Sequence, residues 1–247
     1  MKPYFLVRFS FFEIISLQKI CVLAIILNIE TSTKNCSVCI AEKGKILAIK
    51  ELNDANYSHA EKLHPFIVDV LKEANLKISD LDAVAVSKGP GSYTGLRIGV
   101  SAAKGLCFSI GKPLISIETL TSLSHSISVD KGFIVPMLDA RRMEVYAAVF
   151  DSNHQSVRKI KAEIIDENSF YEYLEKGNVY FLGDGAQKCK NLITHKNAIF
   201  MDDKFPSTKQ MSKLSYNKYQ KNDLEDVAYF EPFYLKDFVA GLEKKKI

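Results

Sequence analysis

Three strand-like runs precede the first helix of this chain, and that order narrows the folds open to it more than any other feature. Residues 22–29 (VLAIILNI) form an almost unbroken apolar run of strand length, rich in β-branched side chains, which reads as a strand covered on both faces. A polar turn, Glu30-Thr31-Ser32-Thr33-Lys34-Asn35, follows it. Residues 36–41 and 45–52 are then joined across Glu42-Lys43-Gly44, a short hairpin signal. Only beyond this meander does a helical period arise: within 58–74, Leu63, Phe66, Ile67, Val70, Leu71 and Ala74 share one face, with Lys62, Asp69, Lys72 and Glu73 opposite. A strand at 82–87 leads through a glycine-rich turn into a second helix reaching about residue 110. Gly111-Lys112-Pro113 stops that helix, and a short strand follows at 114–117. The order βββαβα with a further strand is that of a ribonuclease-H-like lobe.

The second half repeats these ingredients. Strands are expected at 133–138 and 145–150 around Asp139-Ala140-Arg141-Arg142, at 161–165 and at 179–182, with a short helix at 169–174. With 247 residues and 47% hydrophobic side chains, the chain is long enough for one large domain or two lobes and too apolar to stay disordered. The expected division is a first lobe at 22–119 and a second ribonuclease-H-like lobe at 120–247. Residues 1–21 form an extension in which Glu13 and Lys19 interrupt the apolar run and no small-residue cleavage site follows.

Charge and cysteine usage exclude several classes. The 33 Lys and Arg stand against 29 Asp and Glu, a net charge of +4, and no tail is basic enough to announce nucleic-acid binding by itself. The five lysines within 204–221, with Tyr216 and Tyr219 interleaved, fit a solvated face better than a phosphate-backbone contact. No apolar run reaches the roughly 18 residues of a membrane span. Cys21, Cys36, Cys39, Cys107 and Cys189 are an odd, scattered set that fits a reducing cytosol. Cys36 and Cys39 lie three apart on an extended segment, so they point to opposite faces and share a metal or a disulfide only if the strand breaks between them.

The densest signal is 88–106, KGPGSYTGLRIGVSAAKGL. It fails the Walker pattern, because Gly95 is followed by Leu96-Arg97, and the Rossmann fingerprint, because Gly95 comes one residue late. Pro90 removes a backbone donor that an anion nest would use. Gly95, Gly99 and Ala103 fall at i, i+4 and i+8, a stripe that lets another backbone approach, either the chain's own sheet or a partner's helix. Two glycines inside a helix, each costing about 0.8–1 kcal/mol relative to alanine, require a compensating contact.

Six stretches resemble a known family: LNIETSTKNCSVCI (27–40), SHAEKLHPFI (58–67), VSKGPGSYTGLRIGVSAAKGL (86–106), PLISIETLTSL (113–123), PMLDARRMEVYAA (136–148) and EPFYLKDFVA (231–240). They are similar to the TsaB family, dimerisation subunits of the bacterial machinery that makes threonylcarbamoyladenosine beside the tRNA anticodon. The resemblance implies an α/β, two-lobed actin/Hsp70/sugar-kinase fold and a cytoplasmic location. It also implies partnership with the catalytic paralogue TsaD and the ATPase TsaE, a homodimer when TsaD is absent, and contact with tRNA only through the complex. Family chains start near Leu23, so the extension at 1–21 is expected not to be native. Gly95, Gly99 and Ala103, with His59 and Lys62 of the first helix, are the expected partner-binding residues.

The resemblance extends more weakly to TsaD, where the strand after the glycine helix leads into Asn-His-x-x-x-His, whose histidines bind the catalytic metal. Here that stretch is Glu118-Thr119-Leu120-Thr121-Ser122-Leu123, with Thr119 and Leu123 at the histidine positions, which is no divalent-metal ligand set. His59 and His64 are five apart, about 140° around a helix, and His125 stands alone. No metal, cofactor or catalytic residue is therefore expected. The alternative is an ATP-binding enzyme of the actin-like kinase type, with Glu30-Thr31-Ser32 and Asp139-Ala140-Arg141 as its phosphate turns, or a glycoprotease-like one. Against these stand Glu30 where an Asp usually organises the metal, and the absence of a recognisable nucleophile and base.

Overall fold

The computed structural model describes residues 23–53 and 58–236; the expected extension at 1–21 lies outside them. The opening meander forms as its alternation requires. β1 (Ile25–Glu30), β2 (Asn35–Glu42) and β3 (Lys45–Asn53) pair antiparallel, and β4 (Ala83–Gly89) and β5 (Leu114–Glu118) then add in parallel on the other side of β1. The resulting order is β3-β2-β1-β4-β5, with α1 (His59–Glu73) and α2 (Tyr93–Ile110) between successive strands.

The second sheet contains β6 (Phe133–Asp139), β7 (Glu144–Asp151), β8 (Ser156–Ile164), β9 (Val179–Leu182) and β10 (Ala198–Met201), in the order β10-β9-β6-β7-β8. Strand for strand this is the first sheet again: β6 takes the place of β1, pairs antiparallel with β7 and parallel with β9, and β8 and β10 are the edges. The chain is thus an α/β protein with two copies of the ribonuclease-H-like sheet. Among the described residues three short or late helices join them: α3 (Thr119–Ser124) between the sheets, α4 (Tyr171–Leu174), and α5 (Thr208–Gln220).

Strand alternation assigns each face. Leu27, Ile29, Val38, Ile40, Val84 and Val86 point to one side of the first sheet and pack against Leu63, Ile67 and Val70 of α1 and Val100 and Ala103 of α2. Ala24, Ile26, Ala83, Ala85, Ile115 and Ile117 point to the other and meet Met211 and Tyr216 of α5. Cys36 joins the first face while the Cys39 thiol turns to the Thr208 carbonyl, so the two thiols do lie on opposite faces.

The expected division at residue 120 is corrected by α5 and the segment beyond it. These residues come after the second sheet in sequence but pack on the first: α5 covers β1, β2 and β5, and Glu225 N–H bonds to Leu114 O of β5 at 2.9 Å. Two elements, α3 and β10, were absent from the sequence expectation, and the strand expected at 161–165 is the end of a longer one, β8.

Candidate functional site

Five segments converge on a cleft of about 500 Å³ between the sheets. The turn after β1 supplies Ser32, Thr33 and Lys34, and the glycine loop supplies residues 90–94. The β6–β7 turn supplies Asp139, Ala140 and Arg141, the turn after β9 supplies Asp184, and the chain's late segment supplies residues 233–236.

The glycine loop builds one wall. A Cβ added at Gly91, Gly95 or Gly99 would come within 3.0 Å of the Ser32 carbonyl, the Thr31 carbonyl or the Thr31 hydroxyl respectively. The Thr31 hydroxyl also donates to Gly95 O at 2.7 Å, and Ser92 N–H donates to Ser32 O at 2.6 Å. The stripe is therefore the seat of the β1–β2 turn. Ser92 caps α2, its hydroxyl accepting from Gly95 N–H at 3.3 Å. Gly89 answers a different need: its φ is +113°, and a side chain there would meet Phe233 O at 2.7 Å.

This overturns most of the partner surface expected from the sequence. Gly95, Gly99 and Ala103 are buried in their own lobe, so a docking protein does not reach them. His59 is buried as well: its Nε2 lies 2.7 Å from Thr33 O, tying α1 to the same turn, and burial lowers its pKa against the pull of that carbonyl. Lys62 alone of the five is exposed.

The α2 face that does meet solvent carries Arg97, Ser101, Gly105 and Phe108, at i, i+4, i+8 and i+11. Phe108 is 87% exposed, nothing lies within 4 Å of a Cβ built on Gly105, and Val68 of α1 is 63% exposed. Ser101, Gly105 and Phe108 share a stripe in the sequence as regular as that of the glycines, on the face of α2 that meets solvent.

Glu30 ends β1 immediately before the turn that enters the cleft. It is fully buried, and its Oε1 accepts from Ser32 N–H at 2.6 Å and from the Ser87 hydroxyl at 2.8 Å, while Oε2 has no partner. Burial raises its pKa above the ordinary carboxylate range, outweighing the hydrogen bonds that lower it. Thr119 is buried with its hydroxyl unpartnered, and Leu123 lies in an apolar cluster with Leu138 and Leu182. Among the described residues no three His, Cys, Asp or Glu side chains converge as a metal site.

On the opposite wall Asp139 is committed: it pairs with Lys188 and accepts from Arg141 N–H at 2.8 Å. Asp184 Oδ1 accepts from Asp139 N–H at 3.0 Å, and burial raises the Asp184 pKa, with Lys34 across the cleft pulling it down. The described lining includes no imidazole and no thiol. Such a cleft can bind and orient through its cations and polar turns, with proton transfer left to carboxylates already engaged.

Two copies of one sheet around a cleft formed by their facing turns define a two-lobed α/β protein of the actin/Hsp70/sugar-kinase class. A family model described as TsaD: tRNA N6-adenosine threonylcarbamoyltransferase matches residues 52–244, and the chain belongs to that family. It is 28% identical over 226 residues to tRNA threonylcarbamoyladenosine biosynthesis protein TsaB of Haemophilus influenzae, covering 87% of this chain and 94% of that one. The Escherichia coli protein of the same name is also 28% identical, over 87% of this chain and 96% of that one. Among solved structures, YeaZ from Pseudomonas aeruginosa superimposes with a TM-score of 0.72 at 21% identity, over 86% of this chain and all of that one, and shares the fold. Among the described residues no helix is long and apolar enough to cross a membrane.

Proposed function

We propose that this chain is a non-catalytic pairing subunit in threonylcarbamoyl transfer to the adenosine next to the tRNA anticodon. It binds TsaD, and TsaE with it, through the outward faces of α1 and α2. In this reading it works in the cytoplasm and meets tRNA only through the complex. The observation that carries the reading is the solvent-facing stripe of Ser101, Gly105 and Phe108 on α2, together with the exposed Val68 of α1. Small residues that admit a close helix, next to an almost fully exposed aromatic ring, are the composition of a docking face. The relatives named TsaB, matched over nearly their full length, supply the pathway. Without TsaD the same self-complementary face pairs two copies about a two-fold axis.

The test is reconstitution. The chain alone transfers no threonylcarbamoyl to tRNA, and adding it to TsaD and TsaE restores transfer that those two lack on their own. Transfer by the chain alone would overturn the reading. One observation favours a second role: the cleft brings together the polar turns at 32–34 and 139–141, where an actin-like enzyme would hold ATP. Titrating ATP and Mg²⁺ while recording the melting temperature separates the two, because tight cleft binding raises it and the scaffold role predicts no rise.

A further inference from the structure

Residues 225–230 and 231–236 are attached to the molecule in different ways. The first stretch is anchored. Glu225 bridges to β5 through its backbone and accepts the Ser116 hydroxyl. Lys104 of α2 donates to the carbonyls of Ala228 and Phe230 at 3.1 and 2.8 Å, and Val227 and Phe230 pack on the core beneath α1 and α2.

Among the described residues the second stretch has one backbone hydrogen bond, from Phe233 N–H to Lys88 O at 2.7 Å, and, like the first, it has no fully buried residue. Its other ties are made by side chains at the rim. Arg97 Nε donates to the Tyr234 hydroxyl at 3.3 Å, the Arg97 guanidinium lies 4.2 Å over the Tyr93 ring, and that ring sits 4.9 Å from Tyr234. Lys236 then crosses to the other lobe, where its ammonium pairs with Glu144 of β7 at 2.6 Å. Residues 233–236 nevertheless all line the cleft. Few buried contacts and exposed bonds are what give a segment a low opening free energy, and a solvent-exposed ion pair is a weak tie.

We propose that residues 231–236 form a displaceable strap across the mouth of the cleft, hinged beside Phe230 and latched by Arg97 and Lys236. An occupant then reaches the turns at 32–34 and 139–141 only when the strap lifts. Gly89 is part of the device, because any side chain there would push the Phe233 carbonyl off the rim. Arg97 also stands on the solvent-facing stripe of α2, so a protein docked there and engaging its guanidinium loosens the latch. That coupling rests on the pairing proposed above, whereas the strap does not.

Thiol labelling tests it on the full chain. Ala140 lines the cleft and becomes the probe as Ala140→Cys, in a Cys21→Ser background. The remaining cysteines are buried, and burial pushes the Cys36 and Cys39 thiols up to about 11 and about 12, so they stay silent. Adding Tyr234→Ala and Lys236→Glu should speed maleimide labelling about tenfold at an unchanged melting temperature, as for a locally opened segment. Pairing Lys236→Glu with Glu144→Lys should return the rate toward that of the probe alone. Equal rates in all variants would overturn the strap, as would a fall in melting temperature matching that of a core truncation. Added TsaD should speed labelling of the probe; an unchanged rate with pairing intact would overturn the coupling and leave the strap standing.

Discussion

The first sheet is closed on its two faces by different chemistry. Against α1 and α2 it presents Leu27, Ile29, Val38, Ile40, Val84 and Val86, and the helices answer with Leu63, Ile67, Val70 and Val100. Against α5 the same strands turn an apolar patch, Ala24, Ile26, Ala83 and Ala85, and beside it the polar Asn28, Ser37 and Cys39. Here the helix answers with hydroxyls: Ser215 donates to Asn28 Oδ1 at 2.7 Å, and Thr208 meets Ser37 at 2.7 Å. Glu51 gathers the Ser37, Ser207 and Lys209 side chains at the start of α5. The apolar face is held by area removed from water, which is indifferent to direction. The α5 face adds to its own apolar contacts a set of paired polar groups, each of which costs stability if its partner is lost.

The apolar face should fail first when it is overfilled. Gly95→Ala places a methyl group against the Thr31 carbonyl, a backbone atom that cannot swing aside. A loss of at least about 3 kcal/mol is expected in denaturant unfolding, beyond ordinary overpacking because the backbone itself must move. A near-normal midpoint would show that the turn is not seated on the glycine stripe.

On the α5 face, burial pushes the Glu51 carboxyl up, but hydrogen bonds from Ser207, Lys209 and Ser37 more than offset this and leave its pKa below the ordinary value. A depressed carboxylate contributes stability that is present above the unfolded pKa and lost as pH falls through the folded one. Glu51→Gln should therefore cost about 1.5 kcal/mol at pH 7, the lower end for hydrogen bonds to a charged group. The gap between variant and wild type should close as the pH is lowered below the unfolded carboxylate pKa. A pH-independent gap would assign the loss to packing.

Gly105, on the solvent side of α2, gives the smaller opposite effect. Gly105→Ala meets no atom within 4 Å and should stabilise the isolated chain by about 0.8–1 kcal/mol through helix propensity alone. A loss of stability would place an unseen contact on this face. Glu30 gives a change of slope. Its pKa is raised by burial, so the folded state holds the proton longer than the unfolded one, and stability falls as pH rises through that window. Glu30→Gln keeps an acceptor for Ser32 N–H and Ser87. It should flatten this decline in melting temperature as the pH rises above the ordinary carboxylate pKa, and an unaltered slope would locate the decline elsewhere.

The same contrast explains what the sequence made visible. β9 was legible to the residue, and α1 and α2 nearly so, because their buried faces are apolar at a helical or strand period. The buried face of α5 is Thr208, Met211, Ser212, Ser215 and Tyr216, so a hydrophobicity pattern shows a loose polar run where a docked helix stands. β10 is only half-buried throughout, and α3 buries two serines and a threonine among its six residues, which hides both in the same way. At the site, periodicity identified which residues of α2 share a stripe but not what the stripe meets. Gly95, Gly99 and Ala103 turned out to face Thr31 and the sheet. The contribution of residues 233–236 to the cleft had no local signal at all, since it depends on a chain segment returning from more than 130 positions away in sequence to Gly89 and Tyr93.

Light scattering on the size-exclusion peak of Phe108→Glu, alone and mixed with TsaD, tests the account most directly. Phe108 is almost fully exposed, so the substitution should leave the melting temperature where it is. If the proposed pairing holds, a carboxylate on this solvent face of α2 should leave the chain monomeric and abolish co-elution with TsaD. A variant that still dimerises and co-elutes like the wild type would contradict the assignment of the α1 and α2 solvent faces to the partner.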